Sequence, residues 1–283
     1  MKILVTGANG QLAKEIINIS TLRGYSVISK SREELDITIL SSVCDALSSF
    51  KPNIVINCAA YNDVDRAETD WQNAFLVNGT GVKNLSIACS KIDAEIVHLS
   101  SDYVFDGLKG KPYTIVDKPA PVNKYGESKL LGEELLKRHS NRFFLIRTSW
   151  VFGTGKFSFP KRVIEWASKN KKLRIVDDQI SIPSYNIDVA RAAIDLIQTG
   201  NCGLYHITNS GFCSRYSWAR RILNTIKWQG ELEPAKSGDF QTPAKRPGYT
   251  VLDGFPLQDT IGYLLPSWED ATERFLRGLG EAL

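Results

Sequence analysis

The sequence has few of the residues that build disulfide or metal frameworks. Its five cysteines (Cys44, Cys58, Cys89, Cys202 and Cys213) are odd in number and include no Cys-x-x-Cys pair, and its three histidines are scattered. This pattern argues against a disulfide framework, a thiolate zinc site, a histidine metal site and a histidine-based triad. We therefore predict reduced cysteines and no metal site.

The sequence also has no long apolar run and no block of like charge. No stretch approaches the roughly 20 apolar residues that a membrane span needs, and "MKILVTGANG" becomes glycine-rich before a signal peptide could form. The 283 residues are 43% hydrophobic, enough for a substantial core, and their net charge of +4 is spread rather than clustered. We expect a cytoplasmic globular protein, monomeric or homodimeric, with a small anionic ligand and no nucleic-acid or membrane partner.

Short apolar runs alternate with helical patterns along the first half of the chain. The runs "KILVTG", "YSVISK", "NIVINCAA", "EIVHLSS" and "FFLIRTS" begin at residues 2, 25, 53, 95 and 143. They are rich in β-branched and apolar residues, as strands buried on both faces are. Amphipathic stretches at residues 12–24, 42–50 and 74–91 separate them. This order predicts an α/β fold with a doubly wound parallel sheet (Rossmann) and right-handed crossovers.

The pattern loosens after about residue 150, where proline, tryptophan and basic loops become frequent. Residues 186–209 still contain one more helix and strand, "NIDVARAAIDLIQTG" and "GLYHITN". We therefore predict a dinucleotide-binding domain formed by residues 1–150 and about 184–210. A smaller, partly interleaved C-terminal substrate-binding domain would contain residues from about 151–183 and 211–283.

A glycine-rich turn follows the first predicted strand. In "VTGANGQLAKEI", Gly7 and Gly10 separate this strand from a helix, and Ala13 replaces the third glycine of the usual dinucleotide pattern, which that pattern allows. Glycine is needed where φ is positive or a phosphate approaches the backbone, and the helix start offers free N–H groups to the anion. The turn predicts dinucleotide contacts rather than a P-loop or an empty structural turn; these contacts are Gly7, Asn9, Gly10, Gln11 and Leu12.

The end of the second strand indicates which dinucleotide binds. An acid there suits the ribose hydroxyls of NAD, whereas a basic residue suits the additional phosphate of NADP. The chain has Lys30 and Arg32 at this point, followed closely by Glu33 and Asp36. We predict NADPH, bound through Lys30 or Arg32, with NADH open as a second cofactor. The alternative is that both are solvated loop charges.

A tyrosine and a lysine lie four residues apart in "YGESK". Four residues are close to one helical turn, so Tyr125 and Lys129 share a face if a helix begins here. Ser101 ends the strand "EIVHLSS", and the carboxyl ends of such strands face the cofactor crevice. Reduction of a ketone needs a proton donor and a hydrogen bond to the developing alkoxide, while a nicotinamide supplies hydride. Lys129 is predicted to lower the pKa of Tyr125 by favouring phenolate.

With these residues together, the chain resembles the extended short-chain dehydrogenase/reductases and, within them, the dTDP-4-dehydrorhamnose reductase family. The match extends through "TGANGQLAKE", "ELDIT", "NCAAYNDVDRAE", "SSDYVFDG", "YGESKLLGE", "RTSWVFG", "DQISIPSY" and "TPAKRP". The resemblance implies Tyr125 as acid, Lys129 as ribose anchor and pKa modulator, and Ser101 at a position that is usually threonine. It implies NADPH- or NADH-dependent reduction of the 4-keto group of dTDP-4-dehydro-L-rhamnose to dTDP-L-rhamnose, in nucleotide-sugar and polysaccharide biosynthesis.

Further contacts are implied by the same resemblance. Those on the cofactor's adenine side and along its phosphates are Asp36, Ile37, Ala59, Ala60 and Tyr61. Those of the sugar-nucleotide substrate are Val104, Phe105, Trp150 and Arg246. Arg246 suits a diphosphate because its planar fork binds oxygens in pairs. The structural alternatives are a core position for Trp150 and a surface charge for Arg246.

Three departures from the family pattern fall in the sugar-nucleotide half. Ser181 and Ile182 stand where Gly-Ser is usual, and Arg215 stands where an aromatic is common. They bear on which sugar and nucleotide bind, whereas the reductive chemistry depends on other residues.

Two other functions on the same fold stay open from the sequence. One is a sugar-nucleotide epimerase or dehydratase that keeps its NAD bound. The other is a non-catalytic regulatory relative, as in the β subunit of methionine adenosyltransferase. The basic residues after the second strand argue against the first, and the complete set of Ser101, Tyr125 and Lys129 argues against the second.

Overall fold

The structure is a computed structural model that describes residues 1–155 and 158–280. Its strands, in chain order, are β1 (Lys2–Thr6), β2 (Ser26–Lys30), β3 (Ile54–Asn57), β4 (Glu95–Ser101), β5 (Phe143–Thr148), β6 (Val151–Phe152), β7 (Lys172–Val176), β8 (Ile180–Ser181), β9 (Ser184–Tyr185), β10 (Gly203–His206), β11 (Cys213–Ser214) and β12 (Glu231–Ala235).

The α-helices alternate with these strands. In chain order they are α1 (Gln11–Leu22), α2 (Leu40–Phe50), α3 (Trp71–Phe75), α4 (Gly81–Lys91), α5 (Lys124–His139), α6 (Phe159–Lys169), α7 (Asn186–Thr199), α8 (Arg215–Thr225), α9 (Leu257–Ile261) and α10 (Trp268–Gly280). Each predicted strand of the first half, and the one predicted near residue 203, is present with ends within a few residues of the prediction. Within the described residues, every helix is too short or too polar to cross a membrane.

Six of the strands form one parallel sheet in the order β10-β5-β4-β3-β1-β2. The chain moves outward from β1 to β2 on one side and then to β3 on the other, so the order reverses between β1 and β3. Ligands of doubly wound sheets bind at the carboxyl ends of the strands beside such a switch point. The predicted fold class, a doubly wound parallel sheet, is confirmed.

Both faces of the sheet are buried, as the apolar strands predict. On one face Val5, Val97 and Ile146 pack with α1 and α7. On the other face Leu4 and Ile96 pack with α2 and α4. Helices on both sides explain why these strands carry no polar alternation until their carboxyl ends.

A separate apolar cluster lies outside the sheet. Its largest members are aromatic, with Phe152, Trp218 and Phe275 fully buried beside Val163. These residues come from the part of the chain predicted to form the C-terminal domain. Residues 156–157 and 281–283 of that predicted domain lie outside the described residues, and the domain boundaries stay a prediction.

The single helix predicted at residues 74–91 is interrupted. A π-helical turn, Leu76–Thr80, separates α3 from α4. Within it the Asn78 side chain accepts from Tyr61 N (2.8 Å) and donates to Tyr61 O (3.0 Å) and Ser128 Oγ (2.9 Å). Such turns occur frequently at functional sites. Here the turn presents one amide to both the loop after β3 and helix α5, which helical periodicity alone does not indicate.

Candidate active site

A cleft of about 740 Å³ opens at the carboxyl ends of β1, β3, β4 and β5. Ten of the predicted site residues line it: Gly10, Gln11, Leu12, Ala59, Ala60, Ser101, Tyr125, Lys129, Trp150 and Arg246. A depression of about 890 Å³ lies at the opposite, amino ends of the strands, beside Met1, Asn53 and Glu95. None of the predicted site residues lines that depression, so the chemistry belongs to the first cleft.

The glycine turn brings the backbone of β1 against the loop after β3. Gly7 has φ of +67°, and a Cβ there would lie 2.6 Å from Ala59 N. Glycine is therefore required at this position for two reasons, the left-handed conformation and the close approach. Gly10 caps α1, whose free N–H groups face the cleft floor, as an anion site requires.

Helix α5 begins at the opening of the cleft and carries Tyr125 and Lys129 on one face. Asn123 caps it, accepting from Gly126 N at 2.8 Å and donating to Lys245 O at 2.8 Å. Gly126 permits close packing, because a Cβ there would lie 2.2 Å from Tyr103 O. The cap residue and the glycine explain locally why the helix starts where the tyrosine is needed.

A buried ion pair fastens the far side of α5 to the sheet. Arg147 of β5 donates to both carboxylate oxygens of Glu133, at 2.9 and 2.6 Å, and the Ser100 hydroxyl donates to Oε1 at 2.6 Å. Both charged side chains are at most 1% exposed. The pair fixes the distance between α5 and the strand ends.

Tyr125 is buried beside Ser101 and Tyr103. Burial raises the pKa of Tyr125 well above its usual value, and a hydrogen bond with the Ser101 hydroxyl acts in the opposite direction. The Tyr103 ring meets the Tyr125 ring edge-on, with centroids 5.8 Å apart. Burial thus favours the neutral phenol, which is also the form that a free tyrosine takes at neutral pH.

Lys129 is also buried, and its ammonium donates to Leu99 O at 2.6 Å. Burial lowers the pKa of Lys129 to about 8, although Glu133 acts in the opposite direction. The prediction that Lys129 lowers the pKa of Tyr125 stays a prediction. The effect of burial on Tyr125 dominates, and the lysine is directed at the Leu99 carbonyl.

Asp102 is a cleft residue that the sequence analysis did not identify. It is 2% exposed and accepts hydrogen bonds from Thr250 Oγ1 (2.5 Å), Ser101 Oγ (3.0 Å) and Ser181 Oγ (3.1 Å). Burial raises the pKa of Asp102 to about 6, against the effect of these hydroxyls. The carboxylate thus orients the Ser101 hydroxyl and joins β4 to two segments of the C-terminal region. The only sequence signal was its position directly after a strand that ends in serines.

Trp150 forms part of the wall of the cleft. It has φ of +40°, a conformation that is rare for a large side chain and that concentrates at functional sites. Its ring stacks on Trp218 with centroids 5.9 Å apart, and the Arg215 guanidinium lies 3.6 Å from its centroid. Arg215, a departure from the family pattern, therefore supports a cleft aromatic by a cation–π contact.

Arg246 reaches the cleft from the last quarter of the chain. Its guanidinium holds the Asp65 carboxylate with two bonds, Nη1 to Oδ1 at 3.0 Å and Nη2 to Oδ2 at 2.8 Å. The other two acids of that loop also have backbone partners: Asp63 accepts from Arg66 N, and Glu68 accepts from Lys124 N. These carboxylates serve local structure, and no cluster that could hold a metal occurs within residues 1–155 and 158–280.

Two predicted sugar contacts do not line the cleft in this structure, and their role toward the sugar stays a prediction. Val104 and Phe105 are fully buried in a cluster with Tyr113 and Leu252 rather than on the cleft surface. A short 3₁₀ turn, Asp102–Val104, directs these side chains inward, so that Tyr103 lines the cleft in their place.

The remaining predicted cofactor residues surround the cleft without lining it. Lys30 ends β2 and Arg32 is exposed in the loop after it. Asp36 accepts from Thr38, and Ile37 is buried against Gly81. Gly7 and Asn9 lie in the turn before α1, and Tyr61 donates through its hydroxyl to Asp70 at 3.0 Å. Their roles toward a cofactor stay predictions.

Comparisons with known proteins agree with this geometry. The family described as "RmlD substrate binding domain" matches residues 1–280. The chain is 36% identical to a dTDP-4-dehydrorhamnose reductase from Aggregatibacter actinomycetemcomitans, covering 95% of this chain and 96% of that protein. It is 35% identical to the spore coat polysaccharide biosynthesis protein SpsK from Bacillus subtilis, covering 98% and 97%.

Solved structures similar to this chain include reductases of the same name. A dTDP-4-dehydrorhamnose reductase from Clostridium acetobutylicum superposes with a TM-score of 0.97 at 37% identity, covering 99% of this chain and 100% of that one. A dTDP-4-dehydrorhamnose reductase from Bacillus anthracis in complex with NADP superposes with a TM-score of 0.94 at 34% identity, covering 98% and 99%. With its glycine turn, its Ser, Tyr and Lys set and these full-length matches, the chain belongs to the dTDP-4-dehydrorhamnose reductase family.

Proposed function

We propose that this protein is an NADPH-dependent oxidoreductase that reduces the 4-keto group of dTDP-4-dehydro-L-rhamnose to give dTDP-L-rhamnose. The observation that carries the proposal is that Ser101, Tyr125 and Lys129 line one cleft together with the glycine turn. Full-length relatives that bear the reductase name support the same substrate.

The residues of the cleft fit a nicotinamide dinucleotide. Gly7 lets the turn pass close to the loop after β3, and the N-terminus of α1 offers N–H groups to a diphosphate. Lys30 and Arg32, at the end of β2, supply positive charge for the 2′-phosphate of NADP. When bound, NADPH supplies the hydride, and NADH is an alternative donor.

The chain's own residues supply the proton and hold the carbonyl. Tyr125 donates its phenolic proton to the carbonyl oxygen. Ser101 donates its hydroxyl to Asp102 in this structure, and on substrate binding it would turn that hydrogen to the same carbonyl oxygen. Lys129 would hold the nicotinamide ribose. Trp150 and Arg246 contact the sugar and the diphosphate.

The proposed reaction needs one part of the chain to bind the cofactor and another to bind the substrate. We propose that residues 1–150 and about 184–210 bind the dinucleotide, and that about 151–183 and 211–283 bind the sugar nucleotide across the cleft. The aromatic cluster around Trp218 gives the second part a core of its own. We expect the protein in the cytoplasm, as a monomer or homodimer.

A panel of 4-keto-6-deoxy sugar nucleotides tests the proposal. Purified protein should consume NADPH, followed by loss of reduced-nicotinamide absorbance, with dTDP-4-dehydro-L-rhamnose and much more slowly with UDP-linked analogues. NADH should be tested in parallel. Consumption that requires no keto sugar, or none with any member of the panel, would contradict the proposed function.

A further inference from the structure

Thr148 is a buried polar residue of the cleft that the proposed mechanism leaves without a role. It is 7% exposed, lines the cleft at the carboxyl end of β5, and is the Cα partner of Ser101 in the parallel register. Its hydroxyl oxygen is buried with no hydrogen-bond partner in the described part of the chain. A buried hydroxyl without a partner costs stability, so its presence calls for an explanation.

The neighbouring hydroxyls already have partners. Ser101 donates to Asp102 at 3.0 Å, and Ser149 donates to Ile182 O at 2.7 Å. Ser100 donates to Glu133. Among the hydroxyls at the ends of β4 and β5, that of Thr148 is the one without a hydrogen-bond partner within the described residues.

The strand geometry places Thr148 on the cofactor side of the crevice. Phe144 and Ile146 precede it at every second position of β5, and both lie in the core cluster beneath α1 and α7. Side chains two residues apart share a face of a strand. Thr148 is therefore on the same side of the sheet as the glycine turn and the start of α1.

We propose that the Thr148 hydroxyl binds the carboxamide of the nicotinamide ring. A dinucleotide with its diphosphate at α1 and its nicotinamide ribose at Lys129 would bring its ring to the ends of β4 and β5, where Ser101 and Thr148 line the same cleft. The carboxamide is the polar group of that ring, with both an acceptor and donors. A threonine hydroxyl can donate and accept, and rotation about χ1 exchanges it with the methyl group.

This contact sets the rotation of the nicotinamide ring and thereby the face that it presents to the sugar. Thr148 thus orients the cofactor without distinguishing NADP from NAD. The inference rests on the proposed function only in requiring a nicotinamide cofactor, and not on the identity of the sugar.

Calorimetric titration with NADP⁺ and with 2′,5′-ADP, which lacks the nicotinamide half, tests the inference. Thr148→Val should weaken NADP⁺ binding about tenfold and leave 2′,5′-ADP binding unchanged, because only one hydrogen bond to the carboxamide is lost. Thr148→Ser, which keeps the hydroxyl, should bind both ligands nearly as the wild type does. Thr148→Val should also melt no lower than wild type, since it replaces an unpaired hydroxyl with a methyl group.

Two results would overturn the inference. One is equal weakening of NADP⁺ and 2′,5′-ADP, which would indicate general distortion of the site. The other is unchanged NADP⁺ binding with a raised KM for the sugar nucleotide, which would assign the hydroxyl to the sugar. A wild type that shows the predicted binding pattern but reduces no keto sugar would contradict the proposed function and leave this inference intact.

Discussion

At the scale of single residues, burial controls the protonation states in the cleft. Burial leaves little of Tyr125, Lys129 and Asp102 accessible to solvent. It shifts the pKa of each in the direction that favours the neutral form, upward for the tyrosine and the aspartate and downward for the lysine. For Tyr125 this direction keeps the phenol neutral but makes it a weaker acid, because a general acid works best with a pKa near the working pH.

Tyr125→Phe removes the proposed proton donor with almost no change in shape. We expect kcat to fall by about 10²–10⁴-fold, the usual contribution of a general acid, with the Kd for NADP⁺ nearly unchanged. Stopped-flow single turnovers and calorimetry measure the two quantities. Wild-type turnover in this variant would remove Tyr125 from the assigned role.

Asp102→Asn tests the effect of the buried carboxylate on stability. Because the folded-state pKa is raised from 3.8 to about 6, the folded protein binds this proton more tightly than the unfolded chain does. The contribution of Asp102 to the unfolding free energy therefore falls as pH rises through this window, by about 3 kcal/mol in total. Relative to wild type, Asp102→Asn should gain stability as pH rises from about 4 to 7, measured by urea unfolding.

Asp45→Asn, at an exposed position of α2, is the control for that experiment and should show no such trend. Parallel pH curves for wild type and Asp102→Asn would show that Asp102 is ionised with no penalty in the fold.

At the scale of elements, the cleft depends on how closely strand ends and helix starts approach each other. The β1 turn touches the loop after β3, and α5 rests on the Tyr103 carbonyl, in each case through a glycine. The Glu133–Arg147 pair then fixes α5 over β5. These contacts place residues from four elements at one cleft.

Gly7→Ala tests the first of these contacts, with Gly24→Ala as a matched control. Both glycines have positive φ, +67° and +76°, but only Gly7 has backbone within 4 Å of the added Cβ. Each variant should lose about 1–2 kcal/mol of unfolding free energy from the left-handed conformation alone. Gly7→Ala should lose more and should bind NADP⁺ at least about tenfold more weakly.

Gly24→Ala should keep wild-type affinity for NADP⁺, as measured by calorimetry. If both variants bind NADP⁺ equally well, the turn does not carry the dinucleotide.

At the scale of the whole molecule, distant segments close the cleft. Asp65 and Arg246 are 181 residues apart in sequence, and Asp102 joins β4 to Ser181 and Thr250 across 79 and 148 residues. The cleft walls therefore come from both the sheet region and the C-terminal region.

Arg246→Gln tests whether Arg246 binds the diphosphate of the substrate or only holds Asp65 in place. We expect KM for the sugar nucleotide to rise about tenfold or more, because a charge-assisted pair to the diphosphate is lost. The Kd for NADP⁺ should stay the same. Asp65→Asn, which removes the ion pair but keeps the guanidinium, should change KM far less, as measured by steady-state kinetics. Equal effects of the two variants would mean that Arg246 acts only by holding Asp65.

The order of strands and helices, the glycine turn and the Tyr125–Lys129 spacing follow from the sequence by itself. Each depends on neighbours within a few residues: apolar runs, a positive φ, one turn of helix. The tertiary structure alone decided which polar groups share the cleft. Asp102 and Asn78 were not identified because their contacts with Ser181, Thr250 and Ser128 join segments 50 or more residues apart, and the Thr148 hydroxyl has no hydrogen-bond partner in the described residues. Likewise Val104 and Phe105 lie in a buried cluster with Tyr113 and Leu252, whereas Tyr103, in the 3₁₀ turn Asp102–Val104, lines the cleft.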